Sequence, residues 1–360
     1  MIGSHRQRAL VVGAGPAGAA AAVQLARAGH PTTIVERVCS TGWRAGETLP
    51  PVAAEALRAL GVWERFLADG HRLSRRTASA WGAARLRLEH HLFNPHGPGW
   101  HVDRVRFDEM LVAAAEEAGA RRCRGGRVTS VERQDHRWRV VLSAGGVRTV
   151  EECDWLVDAT GRGASLARML DERWTDDDRT VAVVGRLAPV AQGVSVEEAL
   201  LVESAERGWW YSAMLPDGTL IAAYLTDGEE VAGRASDRWH SALAATSHTA
   251  VRARGFALTD IRVRRASTGY VTRAAGPGWV AVGDAAMAHD PLSGRGLLHA
   301  LATGIGGAAA LSNDGVDGYR AAAFARRQSY LRQRSEVYRR ETRWPASPFW
   351  RRRRTVDRAH

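Results

Sequence analysis

Hydrophobic and polar positions in the first forty residues change period twice. Residues 8–12 are a short apolar run that predicts a buried strand. Residues 16–28 are an Ala-rich stretch that predicts a helix stopping at Gly29, and residues 32–36 (TTIVE) predict a second strand. Strand, helix, strand is the opening of a parallel sheet with helices on its faces. Farther on, 52–68 reads as helical, and 79–93, with Leu86, Leu88 and Leu92 in alternating patches, reads as a hairpin. In 105–118, Phe107, Met110, Leu111 and Ala114 fall at i, i+3, i+4 and i+7, with Asp108 and Glu109 in the first turn, which predicts an amphipathic helix.

Short strands are predicted near 127–132, 137–142 and 147–150, then a buried strand at 155–159. Residues 180–225 read as all-β, with Pro216, Asp217 and Gly218 turning a hairpin. The αβ pattern returns with a strand at 279–282, a Gly/Ala-rich helix over 295–311 and a long helix over 318–342. In that last helix Phe324, Leu331 and Tyr338 stand seven apart, which predicts a stripe packed on the body rather than a partner-binding face. The layout is therefore α/β and discontinuous. A Rossmann-like domain takes 1–72, 98–165 and 266–325, an inserted β-rich substrate domain takes 73–97 and 166–265, and a C-terminal helix and tail take 326–360. The alternative, a separate binding module at the insert, fits its short flanking connections less well.

Composition changes this picture little. The net charge is +11, and all 50 basic residues are arginine, with no lysine in the 360 residues. Arginine at this level beside abundant Ala and Gly can reflect genome composition, and no nucleic-acid motif accompanies it, so no nucleic-acid partner is expected. The Arg351–Arg354 run reads as a solvated basic tail more readily than as a partner contact. Cys39, Cys123 and Cys153 are odd in number and scattered, which points to a reducing compartment and away from a disulfide framework or metal site. Residues 9–26, after Arg6 and Arg8, imitate a signal peptide but are mostly Ala and Gly, and nothing else approaches the ~20 strongly apolar residues of a membrane span. The expectation is a soluble cytoplasmic protein with no membrane partner.

The strongest motif is Gly13-Ala14-Gly15-Pro16-Ala17-Gly18, lying between the first strand and the first helix. Gly13 permits the tight turn, Gly15 leaves room for a pyrophosphate, and Gly18 lets the helix pack on the strand. The helix N-terminus offers unpaired N–H groups and partial positive charge to the phosphates. Glu36, at the end of the second strand, is placed to accept hydrogen bonds from an adenosine ribose and to repel a 2′-phosphate. FAD and NAD fit this pattern; NADP does not.

Three later segments favour FAD. Asp158-Ala159-Thr160-Gly161 ends a buried strand in a turn that can face a cofactor. Asp284, after Gly283, can accept from a ribityl hydroxyl. Asp290-Pro291-Leu292-Ser293-Gly294-Arg295-Gly296 leads into a helix, with Gly294 and Gly296 allowing a flat ring against the backbone. That helix N-terminus can stabilise negative charge on a reduced flavin.

These segments, with Arg44-Ala45-Gly46-Glu47-Thr48-Leu49-Pro50-Pro51, Asp103 to Asp108 and Gly208-Trp209-Trp210-Tyr211, resemble the glutathione-reductase-type flavoproteins, in the branch of single-component aromatic hydroxylases and flavin halogenases. The resemblance is greatest to halogenase-like flavoproteins that mature tryptophan-derived quinone cofactors, through 283–296 and the ending Glu341 to Trp344 with Phe349-Trp350. It implies non-covalent FAD held by Glu36 and Arg37 at the adenosine, Arg44 and Arg104 near the phosphate and ribityl, Val128 near the adenine, Asp284 at the ribityl–pyrophosphate, and Gly294, Gly296 and Leu297 at the isoalloxazine, with Pro291 fixing the backbone of that cofactor-binding loop.

Only one dinucleotide fingerprint is present and no Cys-x-x-Cys, so electrons must come from transiently docked NAD(P)H or from a separate flavin reductase. The resemblance then implies a monooxygenase that uses O2, passing oxygen from a flavin C4a-hydroperoxide to an electron-rich ring. The expected substrate is aromatic, an indole or tryptophan-like ring among the candidates, free or on a peptide or protein. Tryptophan halogenases of this kind rely on a lysine, which this chain lacks, and an arginine stays protonated and substitutes poorly. A reductase or dehydrogenase would share the same cofactor residues, and a non-catalytic FAD-bound binding protein is the reading of a different class. Candidate catalytic residues are His289 and Asp290, beside the flavin-side loop, Tyr211, and His299, which can equally be a packed helix residue. Trp209 and Trp210 can stack an aromatic substrate or belong to the core.

Overall fold

The structure, a computed structural model, describes residues 6–37, 42–194, 196–233 and 235–354; Cys39 lies outside the described residues. Its centre is a six-stranded sheet in the order Ala275–Gly276, Trp279–Ala281, Trp155–Asp158, Ala9–Val12, Thr32–Glu36, Arg121–Arg124. The last five strands run parallel, and the first pair is antiparallel. Ala9–Val12 sits inside the sheet with all its residues buried, which is why it reads as continuously apolar. Val12 pairs with Asp158 and with Val35, and Asp158 pairs with Ala281. The turns at Gly13, Ala159 and Gly283 therefore lie side by side at the carboxyl edge of the sheet.

The helices Pro16–Arg27 and Gly296–Ser312 press together, and small residues make that possible. A Cβ on Gly304 would stand 2.3 Å from the Ala17 carbonyl oxygen, and one on Gly18 would stand 1.9 Å from the Gly13 carbonyl oxygen. The Ala/Gly richness of both segments is thus a packing requirement.

Over this domain lies a seven-stranded sheet in the order Phe256–Arg265, Thr180–Pro189, Leu220–Asp227, Gly208–Met214, Ala199–Ala205, Arg76–Ala80, Arg87–His90. Strand alternation splits its side chains between two faces. Trp210 and Val183 face a helix, Ala235–Ala244, whose Trp239 covers Gly185 so closely that a Cβ there would lie 2.5 Å from the indole. Trp209, Ala182 and Val184 face the other way.

Several expectations need correction. The helical run at 52–68 is two helices, Ala53–Ala59 and Trp63–Ala68, separated where Gly61 adopts φ +61°. Arg121–Arg124 is a strand, unpredicted because its side chains meet Glu36, Glu109 and Glu151 instead of apolar neighbours. The helix at 235–244 was hidden because Trp239 is its one buried residue. The long helix, Val316–Arg339, buries Tyr319, Arg327, Ser335 and Tyr338 and leaves Phe324 65% exposed, so the seven-residue stripe packs at its Tyr338 end and not at Phe324. The basic run does not form a wholly solvated tail. It lies in the helix Pro348–Arg354, where Arg353 is buried, pairs with Asp227 at 2.7 Å and stacks on Phe349, while Arg352 reaches the same carboxylate at 2.6 Å. No helix of the described residues is long and apolar enough to cross a membrane.

Candidate active site

A cleft of about 590 Å³ separates the carboxyl edge of the parallel sheet from the inner face of the seven-stranded sheet. At one end stands the glycine fingerprint. Gly13 leaves its strand at φ +112°, and a Cβ there would lie 2.2 Å from the Ala159 carbonyl oxygen. Gly15 lines the cleft, and nothing lies within 4 Å of where its Cβ would be. It is also the N-cap of Pro16–Arg27, and no side chain occupies the first-turn N–H groups.

At the other end, Pro291–Ser293 form a tight turn, Gly294 adopts φ +58°, and the helix Gly296–Ser312 again starts without a side-chain cap. Gly161, Gly294 and Gly296 line the cleft with open space where a Cβ would stand. Bare backbone at both ends and two uncapped helix N-termini fit a diphosphate at one end and a flat, electron-accepting ring at the other. The residues present fit FAD.

The polar residues between these ends are positioned in pairs. Arg44 and Arg104 both reach the Asp108 carboxylate, at 2.8 and 3.1 Å, and Arg104 also donates to the carbonyl oxygens of Ala45 and Gly46 at 2.9 and 3.2 Å. Asp108 was missed as a site residue; its signals were the end of the Asp103 to Asp108 motif and a place four residues after Arg104 on one helix face. Asp284 faces the cleft with Arg162 Nε 3.3 Å away, and Arg162 also donates to the carbonyl oxygens of His289, at 3.0 Å, and of Ser267. Pro291 and Leu297 line the same wall.

Other sequence-derived residues stand off the cleft. Glu36 is buried at the end of its strand, where its Oε2 accepts from Arg122 at 2.7 and 3.1 Å. Arg37 is exposed beside it. Val128 is packed with Leu10, Val12 and Val35. Asp158 is fully buried and accepts from the Thr160 N–H at 2.9 Å, the Thr160 hydroxyl at 2.6 Å and the Ala167 N–H at 2.7 Å. Its carboxylate shapes the turn that presents Gly161.

The four catalytic candidates separate on inspection. Tyr211 lines the cleft, and its hydroxyl is 3.5 Å from Oε2 of Glu47, an acid that appeared in the sequence only as one letter of a motif. Glu47 also lines the cleft, is 2% exposed, accepts from the Gly46 N–H at 2.9 Å, and has no partner for Oε1 among the described residues. Burial pushes its carboxyl up to about 7, against the opposing pull of Arg104 and the local N–H donors. His289 lines the cleft with Nδ1 unpartnered among the described residues, its ring 4.3 Å from that of His299 and 4.4 Å from that of Tyr330. Burial, then His299 and Arg162, holds it well below the usual imidazole range, and burial takes His299 down to about 4. Both imidazoles are therefore neutral at pH 7. His299 sits behind His289 and does not line the cleft. Asp290 lines the cleft, and its carboxylate accepts from the Leu292 N–H, Arg334 and the Tyr338 hydroxyl, which anchor it to the loop and to the long helix.

The architecture and the cradle agree with comparisons to known proteins. Residues 6–344 match the family described as FAD binding domain. LodB of Marinomonas mediterranea, assigned to the FAD-dependent oxidoreductases, is 31% identical over an alignment that covers 96% of each chain. CmlS, a flavin-dependent halogenase, has the same fold, with a TM-score of 0.87 at 24% identity over 98% of this chain and 68% of its own. QhpG, a peptidyl tryptophan dihydroxylase essential for tryptophylquinone cofactor biogenesis, gives a TM-score of 0.74 at 26% identity over 99% of this chain and 80% of its own. A chain with this fingerprint, this cradle and this family match belongs to the FAD-binding domain family and is an FAD-dependent oxidoreductase.

Proposed function

We propose that this protein is a monooxygenase that hydroxylates an aromatic ring, with an indole or tryptophan side chain, free or within a peptide, as the substrate class. The observation that carries the reading is the roof of the cleft. Trp209, Tyr211, Ala182, Val184, Leu200 and Val202 project from one sheet face toward the Gly294–Gly296 backbone, giving an apolar, aromatic-walled space above the ring end. The likeness to QhpG, whose own substrate is a peptidyl tryptophan, supports the indole class. Bound FAD, reduced by NAD(P)H or a separate flavin reductase, supplies the activation of O2. The chain's own part is to hold the aromatic ring against the roof, keep water out and move a proton.

Glu47 is the group placed to move that proton. A carboxylate that ionises near neutrality is matched to general-base work at pH 7, and Tyr211 holds it toward the cleft. It would accept the proton that the aromatic substrate releases on hydroxylation. His289, kept neutral, lines the same space and can accept a hydrogen bond from the substrate.

Mass spectrometry of reactions with FAD, a reductant, O2 and indoles or a tryptophan-containing peptide tests the reading. A product heavier by one oxygen atom is expected. A product lighter by two hydrogens would make the protein a dehydrogenase. Adding bromide or chloride should leave no halogen in the product, because this chain has no lysine to relay it. Halogenated product would overturn the hydroxylase reading.

Glu47→Gln tests the proton carrier in two ways. Turnover by the wild type should rise as pH increases through about 7, whereas the Gln variant should be at least ~10²-fold slower without that rise. Stability gives a flavin-free readout. Folded Glu47 keeps its proton to about 7, while the unfolded carboxyl ionises near its ordinary 4.5. Stability is therefore lost as pH climbs between those values, at ~1.4 kcal/mol per unit, and the full cost stands above the folded value. The melting temperature of Glu47→Gln should gain on the wild type from pH 5 to pH 8. A constant gap would mean that Glu47 ionises normally.

A further inference from the structure

The loop 289–294 forms the ring-side wall of the cleft, and its polar groups are gripped from outside the loop. Arg162 takes the His289 carbonyl oxygen, and the Asp290 N–H and Oδ2 are held by the helix Val316–Arg339. Tyr330 and Arg334 are four residues apart and share one face of that helix. The Asp290 N–H donates to the Tyr330 hydroxyl at 2.6 Å. The Asp290 Oδ2 accepts from Arg334 Nε at 3.1 Å and from the Tyr338 hydroxyl, one turn on, at 2.8 Å. Its Oδ1 accepts from the Leu292 N–H at 3.0 Å and closes the turn that delivers Gly294. Arg334 is anchored at both ends, because its Nη2 donates to Asp178, just before the strand Thr180–Pro189, at 2.7 Å. Its side chain is 11% exposed, and that of Asp290 is 2% exposed.

We propose that Arg334, assisted by Tyr330, is a positioning residue that splints the flavin-side loop to the long helix and to Asp178, fixing the height at which Gly294 and Gly296 support the ring. Net stability is a poor explanation for this arrangement, since an enclosed ion pair is often no better than apolar packing of the same volume. What a guanidinium does uniquely is hold two carboxylates at a set distance and angle through its rigid fork of donors. The loop needs such a device. Pro291 has no N–H to donate, and Gly294 has no side chain to pack. Removing the charge leaves Asp178 and Asp290 without the cation that bridges them, and the loop is the element free to yield. This inference rests on FAD binding and is independent of the reaction assigned above.

The test uses the full chain loaded with FAD, in Arg334→Gln, Arg334→Lys and Tyr330→Phe, with the flavin absorption spectrum and midpoint potential recorded without substrate. Arg334→Gln should keep its FAD dissociation constant within about threefold, because the distant fingerprint is untouched. Its spectrum and potential should both shift. Its turnover should fall roughly 10- to 100-fold, the effect of misplacing a reacting centre by about 1 Å, with kcat changed more than KM. Arg334→Lys should recover part of the spectrum, and Tyr330→Phe should shift it the same way by less. A wild-type spectrum and potential in folded Arg334→Gln and Tyr330→Phe overturns the proposal, as does a drop in melting temperature with no spectral change. If Arg334→Gln does not fold, Arg334→Lys and Tyr330→Phe decide by the same criteria. Failure of the hydroxylase reading would leave the spectral result standing.

Discussion

Gly15→Val is expected to fold like the wild type and to lose FAD. The backbone at Gly15 has φ −74° and ψ 179°, an extended conformation open to any residue, and nothing lies within 4 Å of the position a Cβ would take. Valine therefore meets no strain and no clash in the cofactor-free protein, so the melting temperature without FAD should be unchanged. The space the side chain enters is the mouth of the cleft, directly over the uncapped N-terminus of Pro16–Arg27. A pyrophosphate has to come within hydrogen-bonding distance of that backbone, and two methyl groups would hold it off. Affinity for FAD should fall at least ~100-fold, or ~2.7 kcal/mol. Titration by flavin fluorescence, with the flavin retained through gel filtration, measures it. Undiminished affinity would place the diphosphate elsewhere. Gly13 and Gly18 cannot serve in this test, because a Cβ on either collides with backbone in the empty protein.

That contrast explains what the sequence could reveal. The fingerprint was legible because its chemistry belongs to the backbone. Each glycine has a geometric reason that depends on near neighbours, namely a turn, an approach and a helix contact. The alternation that made 180–225 a β region also decided which side chains line the roof, since Trp209 and Tyr211 must share a face and Trp210 must oppose them. Asp108 and Glu47 were not legible as site residues, because nothing in a sequence distinguishes a carboxylate pinned beneath two arginines, or one sealed in a cleft wall, from a solvated one. The partners of Asp290 were hidden for the same reason. Asp290 lies beside the flavin-side loop and resembles a base, but two of its donors come from Arg334 and Tyr338, more than forty residues away in the chain. Arg121–Arg124 and Arg353 show the general case. Charged side chains enter strands and interiors when acids from distant segments meet them, and hydrophobic periodicity carries no trace of that pairing.

The two ends of the cleft should also separate in their response to bulk, which is why Gly296→Val is the counterpart of Gly15→Val. Gly296 is the first residue of the helix Gly296–Ser312 and, like Gly15, has nothing within 4 Å of a Cβ position. Valine costs the helix nothing in propensity, because the glycine it replaces is the poorer helix former. The empty fold should survive. With FAD present the outcome differs from that at the fingerprint. The adenosine and pyrophosphate keep their contacts, so affinity should drop by no more than ~10-fold, about 1.4 kcal/mol. The added methyl groups stand where the ring would lie on the 294–297 backbone, so the ring must tilt or rise toward Trp209 and Tyr211. A displacement of about 1 Å is enough to cost ~10²-fold in turnover. The expected variant therefore binds FAD, shows a shifted flavin spectrum and forms almost no product, whereas Gly15→Val forms none for want of flavin. Spectra, flavin content and product yield measured side by side distinguish the two. A Gly296→Val protein with the wild-type spectrum and full turnover would remove this loop as the flavin platform, and the roof above it would lose its claim to be the substrate wall.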